Sequence, residues 1–279
     1  RLYDSVRGAT KVIYSSLDQA EGTASTGLKS FDSDGFTVGT GSDENGNGAS
    51  FVSWNWKESA TAGFDIVSYT GNGSARTISH SLSAVPHWFI VKARSKSDGW
   101  MTYHQKNTSA PETDFIRLDK TDATTDAVNM WNDTAPTSSV FTVGVDGGVN
   151  DNTETYIAYL WSEKKGFSKF SNFVGNGNAD GTFVYTGFKP AWLMIKRTDS
   201  ANSWIIMDTK RNTFNPMGEE LKAEENSAGS DATRWDQLSN GFKLRNAGGA
   251  VNASGGTYIY MAFAESPFVN SKGIPTNAR

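Results

Sequence analysis

The sequence predicts an all-β fold built as a tandem of antiparallel β-sandwich modules, jelly-roll-like and about 100 residues each. Three observations predict it. Aromatic and β-branched residues recur at strand-like spacing in short runs such as "HWFIVKA", "AWLMIKR" and "ETYIAYLWSE". Asn, Ser and Thr, with many of the 28 glycines, separate those runs as turns between short strands require. The same pattern is also written more than once along the chain, which is the mark of a repeated structural unit.

The repeat reads in register. Gly71-Asn72-Gly73 and Gly175-Asn176-Gly177 lie 104 residues apart, and at that offset Pro86 falls on Pro190, Trp88 on Trp192, Lys92 on Lys196 and Trp100 on Trp204. The back half of the unit occurs three times. It opens with "DGFTVG" at Asp34, "SVFTVG" at Ser139 and "NGFKLR" at Asn240, and it closes with apolar runs ending at Glu58, Glu163 and Glu265. Asp4 and Arg7 match Asp208 and Arg211. The matches divide the 279 residues into a partial module over 1–60, full modules over 63–163 and 167–265, and a tail over 266–279.

The sequence opens at Arg1, inside a repeat, and reads as a piece of a longer protein. Residues 1–60 supply only the back half of a module. They are expected to complete their sheet from upstream chain, a neighbouring subunit or a divergent arrangement. A unit this long suits a self-contained sandwich better than a solenoid coil, so the modules are expected to follow one another as beads on a string. Lys92 and Lys196, single charges in apolar strands, are expected at the solvent side or a sheet edge. The best helical stretch is "NPMGEELKAEEN", around Pro216.

Composition narrows the function classes. Apolar residues are only 37% of the chain, but 12% aromatics argue against simple disorder. A net charge of −4 and a pI near 5.5 lack the basic footprint of a nucleic-acid binder, so no nucleic-acid partner is expected. No run approaches the roughly 18 apolar residues of a membrane helix, so no membrane insertion is expected either. Zero cysteines exclude disulfides, thiolate metal sites and cysteine nucleophiles.

Several residues are candidates for chemistry. Eight of the nine tryptophans fall at repeat-matched places, which suits core positions and a repeated sugar platform alike. Trp131 and Trp235 sit in the polar contexts "NMWND" and "TRWDQ" and are the ligand-binding candidates. Asp32, Asp34, Asp43, Asp146 and Asp151 lie in Asn- and Gly-rich loops that could offer oxygens to Ca²⁺, although no EF-hand spacing is present and the loops also read as tight hairpins. No other cofactor is implied. Glu58, Glu163 and Glu265 recur once per module and read as strand-end ion pairs or hydrogen bonds. His80, His87 and His104 have no counterpart in the other copy and read as solvated or strand-face residues. No catalytic residue is assigned.

The segments "YDSVRGATKVIYSS", "SFDSDGFTVG", "SYTGNGSA", "GFSKFSNFVGNG", "FVYTGFKPAWLMIKRTDS", "SNGFKLR" and "NASGGTYIYMAFAESPF" together resemble a repeat module of tailed-bacteriophage virion proteins, notably of marine phages. The resemblance covers nearly the whole chain and brings no catalytic residues. It implies a tail-fibre or receptor-binding component located on the virion, outside the cell. Its implied partners are further copies of itself as a homo-oligomer, as a trimeric fibre would have, other virion proteins and a host surface glycan. Two alternatives stay open: a polysaccharide depolymerase using an Asp/Glu pair, and a bacterial carbohydrate-binding adhesion protein.

Overall fold

The computed structural model describes residues 1–267 and 269–270, and the tail expected over 266–279 falls largely outside them. The partial copy carries β1 (Lys11–Val12), β2 (Gly22–Thr23), β3 (Leu28–Phe31), β4 (Phe36–Val38) and a single helical turn, α1 (Ser42–Asn45). The first full module holds β5 (Phe64–Thr70), β6 (Arg76–Ser79), β7 (Trp88–Ala93), β8 (Trp100–His104), β9 (Asp114–Arg117), β10 (Thr125–Asp126), β11 (Val140–Val143) and β12 (Thr155–Trp161), with short helices α2 (Val128–Trp131) and α3 (Gly147–Asn150). The second holds β13 (Ser168–Val174), β14 (Phe183–Tyr185), β15 (Pro190–Arg197), β16 (Ile205–Asp208), β17 (Met217–Lys222), β18 (Ser230–Leu238), β19 (Gly241–Leu244) and β20 (Thr257–Ala264).

The fold is all-β, antiparallel and sandwich-like, and the two full modules share one strand order. In the first, the main sheet runs β5-β12-β7-β8-β9-β10, and β6 pairs with β11. In the second, β13-β20-β15-β16-β17-β18-β19-β14 form one continuous sheet in the equivalent order. The register repeats as well. Trp161 pairs with both Phe64 and Trp88, as Phe263 pairs with both Ser168 and Trp192. The modules part most clearly after β10 and β18. In the first, α2 interrupts the path from β10 to β11 and ends at Asn132 in the left-handed region, whereas β18 runs straight on to Leu238.

The stretch expected to be helical is a strand. Leu221 of β17 pairs with Ile206 on one side and Glu219 with Asp231 on the other, so its backbone is satisfied across the sheet. Gly218 weakens any competing helix. The Glu220 carboxylate, which would favour a solvated helix face, is instead held by Arg234 at 2.5 and 3.0 Å.

Each main sheet is apolar on both faces, and this decides how the modules sit. One face of the first sheet meets its own β6–β11 pair and α2 through Phe89, Val91, Tyr156, Leu160, Trp131 and Phe141. Leu193, Met207, Tyr258, Trp235 and Phe242 do the same in the second module. The other faces meet each other. Trp88, Ile90, Trp100, Ile157 and Trp161 form one core with Trp192, Met194, Trp204, Ile259 and Phe263, joined by Ile13, Trp54 and Trp56 of the partial copy. At about 25 cal/mol per Å² and 150–250 Å² per ring, each buried tryptophan contributes on the order of 4 kcal/mol. A module standing alone would leave that face in water. The beads-on-a-string expectation is therefore corrected: the copies share a core.

Lys92 and Lys196 are corrected for the same reason. Both are fully buried. Lys92 Nζ donates to the carbonyls of Asp18 at 3.2 Å and Ala93 at 2.7 Å, and Lys196 Nζ to those of Thr121 at 3.1 Å and Arg197 at 2.8 Å. Burial pulls both amines down to about 8. In each case the preceding copy lies across the end of the strand and offers a carbonyl to the lysine.

This docking is repeated at both junctions, with one additional tryptophan bond at the first. Trp100 Nε1 donates to the Tyr14 and Leu17 carbonyls of the partial copy, at 2.9 and 3.1 Å, and Trp204 Nε1 to Arg117 of the first module at 2.9 Å. Asp98 N reaches Asp18 O as Asn202 N reaches Thr121 O, both at 2.8 Å. Glu21 N reaches Arg94 O as Thr124 N reaches Thr198 O, at 2.8 and 2.9 Å. The circuit closes on the far side, where Trp54 and Trp56 pack edge-on against Trp192 and the Arg211 guanidinium lies 5.9 Å from the Trp54 ring. Each copy touches both others.

Candidate functional site

The residues singled out from sequence do not assemble into a site. Trp131 and Trp235 are 1% and 0% exposed, which corrects their selection as ligand residues. Asn129, Asn132 and Asp133 around Trp131 are exposed while its indole points in, and Asp236 and Gln237 beside Trp235 are buried along with it. Trp131 packs edge-on to Phe89 at 4.9 Å and donates its Nε1 to the Asp114 carbonyl at 3.0 Å. Trp235 lies against Phe242. Neither offers a ring face to a sugar.

Four of the five loop aspartates are likewise occupied locally. Asp32 accepts from the Ser30 and Thr37 hydroxyls at 2.8 Å and shapes the β3–β4 hairpin, with Asp34 exposed at its tip. Asp43 pairs with Arg1. Asp146 caps α3 by accepting from Gly148 N at 2.8 Å, and Asp151 pairs with Lys96 at 3.0 Å. Among the described residues no group of three or more His, Asp or Glu converges as a cation site.

Glu163 and Glu265 do make ion pairs, with Lys169 at 2.9 Å and Lys189 at 2.8 Å, and Glu58 accepts from Ser5 at 3.3 Å. His80 and His87 are half-buried, but His104 is fully buried, against the solvated reading. Its ring sits edge-on to Trp88 and within 3.4 Å of the Tyr260 carbonyl, between the two full modules. Burial lowers its base to about 3, partly offset by that carbonyl.

The geometry offers a different place. At the junction of the two full modules an open groove of about 610 Å³ is lined by Lys106, Asn107, Thr108, Ser109 and Thr124 from the first module and by Asn172, Thr198, Asp199, Thr257 and Tyr258 from the second. The turn after β8 supplies Lys106 to Ser109, and the docking loop before β10 supplies Thr124. Asn172 lies on β13, and Thr198 follows β15.

Asn107 is 7% exposed. Its Oδ1 accepts from Thr124 at 2.7 Å, while its buried Nδ2 has no partner among the described residues. A buried amide left unpaired costs about 1–3 kcal/mol, so it is a donor waiting for an acceptor. Thr198 Oγ1 shares a 2.7 Å bond with Thr257 Oγ1. Asp199 is the one carboxylate in the lining. Arg197 holds it at 2.9 and 3.0 Å and keeps its pKa at about 2.

The equivalent position at the junction of the partial copy and first module is filled. Glu21 stands at the place of Thr124, Arg94 at that of Thr198 and Ser68 at that of Asn172, as the matched backbone bonds and strand registers fix. Glu21 binds Arg94 through both oxygens at 2.9 and 3.2 Å and Arg7 at 3.4 Å, and Arg94 reaches Ser68 at 3.1 Å. Replacing that network with threonines and an asparagine leaves the second junction open and lined with hydroxyls and amides. Such a lining suits recognition of a neutral, hydroxyl-rich ligand. A single anionic carboxylate cannot supply the acid and base pair of glycoside hydrolysis.

Sequence reading missed this groove because its residues are ordinary threonines and asparagines scattered from Lys106 to Tyr258. The available signal was a contrast between repeats, Glu21 against Thr124 and Arg94 against Thr198. Comparisons with curated proteins and with solved structures give no match. The family described as a domain of unknown function, DUF7483, matches residues 1–267, and the chain belongs to it.

Proposed function

We propose that this chain is a structural component of a phage virion, a tail-fibre or receptor-binding segment, and that the groove between its full modules holds a host surface glycan without turning it over. The observation that carries the ligand class is the Asn107 amide, buried and unpartnered in a groove of hydroxyl and amide groups. The virion setting rests on the resemblance of the repeat segments. Assembly as a homotrimer beside other virion proteins, on the outside of the particle, belongs to the same proposal. Contacts of this kind are weak singly, and several copies on one fibre would bind by avidity.

The test incubates the chain with a panel of host surface polysaccharides and measures binding beside reducing-end and unsaturated-product release. Binding without product is expected, and it is expected to vanish in the double variant Thr124→Glu with Thr198→Arg, which imitates the filled junction. Binding unchanged in that variant would remove the groove from the proposal. Product release abolished by a single Asp or Glu substitution would replace it with the depolymerase reading.

A further inference from the structure

The partial copy is built like the back half of the full modules, but two of its features, and the docking loop of the second full module, lack what a front half supplies. Residues 51–58 make no backbone hydrogen bond among the described residues, although their side chains alternate between exposed and half-buried as in a strand. They match β12 and β20, which are paired on both edges, by β5 and β7 and by β13 and β15. Phe36 and Phe51 are 40% and 51% exposed, whereas their counterparts Phe141, Tyr156, Phe242 and Tyr258 are fully buried. The docking loop is also open. Its third copy runs from Lys222 to Gly229, and no donor among the described residues reaches the Asn226 carbonyl, which stands where those of Asp18 and Thr121 receive a lysine.

All three lack the same thing. In both full modules the front half supplies the strands flanking the closing strand, the cover over the two aromatics, and the lysine and tryptophan that take the preceding copy's carbonyls. We infer that the partial copy is a binding site for the front half of a module of this kind, which inserts one strand on each side of residues 51–57 and docks on the 222–229 loop. The occupant is a polypeptide with a buried lysine and tryptophan at the places of Lys92 and Trp100. Strand insertion satisfies the bare backbone groups, and the apolar cover supplies the driving force. Other copies of this chain are poor donors, because both their front halves are already paired and docked.

Leu2 bridges Ile13 as Thr102 pairs with Ile116 and Ile206 with Leu221, so a front half ending just ahead of Arg1 would be in register. The experiment joins a copy of residues 63–100 ahead of Arg1, and separately a copy of residues 167–204, and follows amide exchange across the whole chain. Exchange at residues 51–57 is expected to slow by at least about 100-fold in either fusion, as for a central strand, with a higher melting midpoint. If residues 51–57 exchange as fast in both fusions as in the unmodified chain, the inference is wrong. It is equally overturned if the unmodified chain sediments as a dimer with those amides already protected, since the occupant is then a second copy.

Discussion

The two junctions that flank the first full module are made by the same backbone bonds and differ in what fills them. At the first, Arg7, Glu21 and Arg94 form a partly buried charge network, and at the second the matching loop and strand carry Thr124 and Thr198 and leave a groove. The difference separates two duties. Backbone carbonyls, lysines and tryptophans hold the copies together, so the side chains around them can serve as filler or as a site. Partly exposed ion pairs contribute only about 0–1 kcal/mol each, so exchanging them for threonines costs little stability and opens volume.

The largest effect should come from breaking what the junctions share. Trp100→Ala and Trp204→Ala are each expected to cost about 3–5 kcal/mol in urea unfolding, and to within about 1 kcal/mol the same. Unequal losses would show that the two junctions are not mechanically equivalent.

The next effect should separate the junctions by pH. The second holds His104 where the partial copy has Asp4. With its base lowered to about 3, the folded protein refuses a proton that the unfolded chain accepts below about 6.5. Its stabilising contribution is therefore intact above pH 6.5 and is lost as pH falls from there towards 3, at up to about 1.4 kcal/mol per pH unit. Melts of the His104→Gln variant should lose that slope, while loss from Asp199 enters only near and below its ordinary range.

Exchanging the fillings should change binding more than stability. Glu21→Thr with Arg94→Thr is expected to move unfolding by no more than about 2 kcal/mol while opening the first junction, measured as a new glycan-binding event in calorimetry. The smallest effect concerns the loop aspartates. Calcium addition or chelation should shift the melting midpoint by less than about 1 °C, because a ligand stabilises only where the fold offers it a site. A larger shift would restore Asp32, Asp34, Asp43, Asp146 or Asp151 as ligands.

Much of the architecture was legible because it is local. Short, near-continuous aromatic and β-branched runs mark β7, β12 and their counterparts, and the paired tryptophans at 88 and 192 and at 100 and 204 mark equivalent strands. The candidate site was not legible. The polar contexts of Trp131 and Trp235 describe their chain neighbours, whereas burial depends on which face of the turn or strand the indole occupies. Glu21 and Thr124 carry no motif, and their contrast has meaning only once both loops lie over the ends of Arg94 and Thr198.

By itself the sequence determined the strand-forming runs, the repeat and its phase, and the absence of any cysteine chemistry, all of which follow from side-chain type and spacing along one chain. Tertiary structure alone decided that the copies share one core, that two lysines are buried under a neighbour's carbonyls, and that one junction is filled while its twin stays open. Those outcomes depend on distances between residues some 75 to 105 positions apart, such as Lys196 and Thr121, and on the cost of leaving a second apolar sheet face in water.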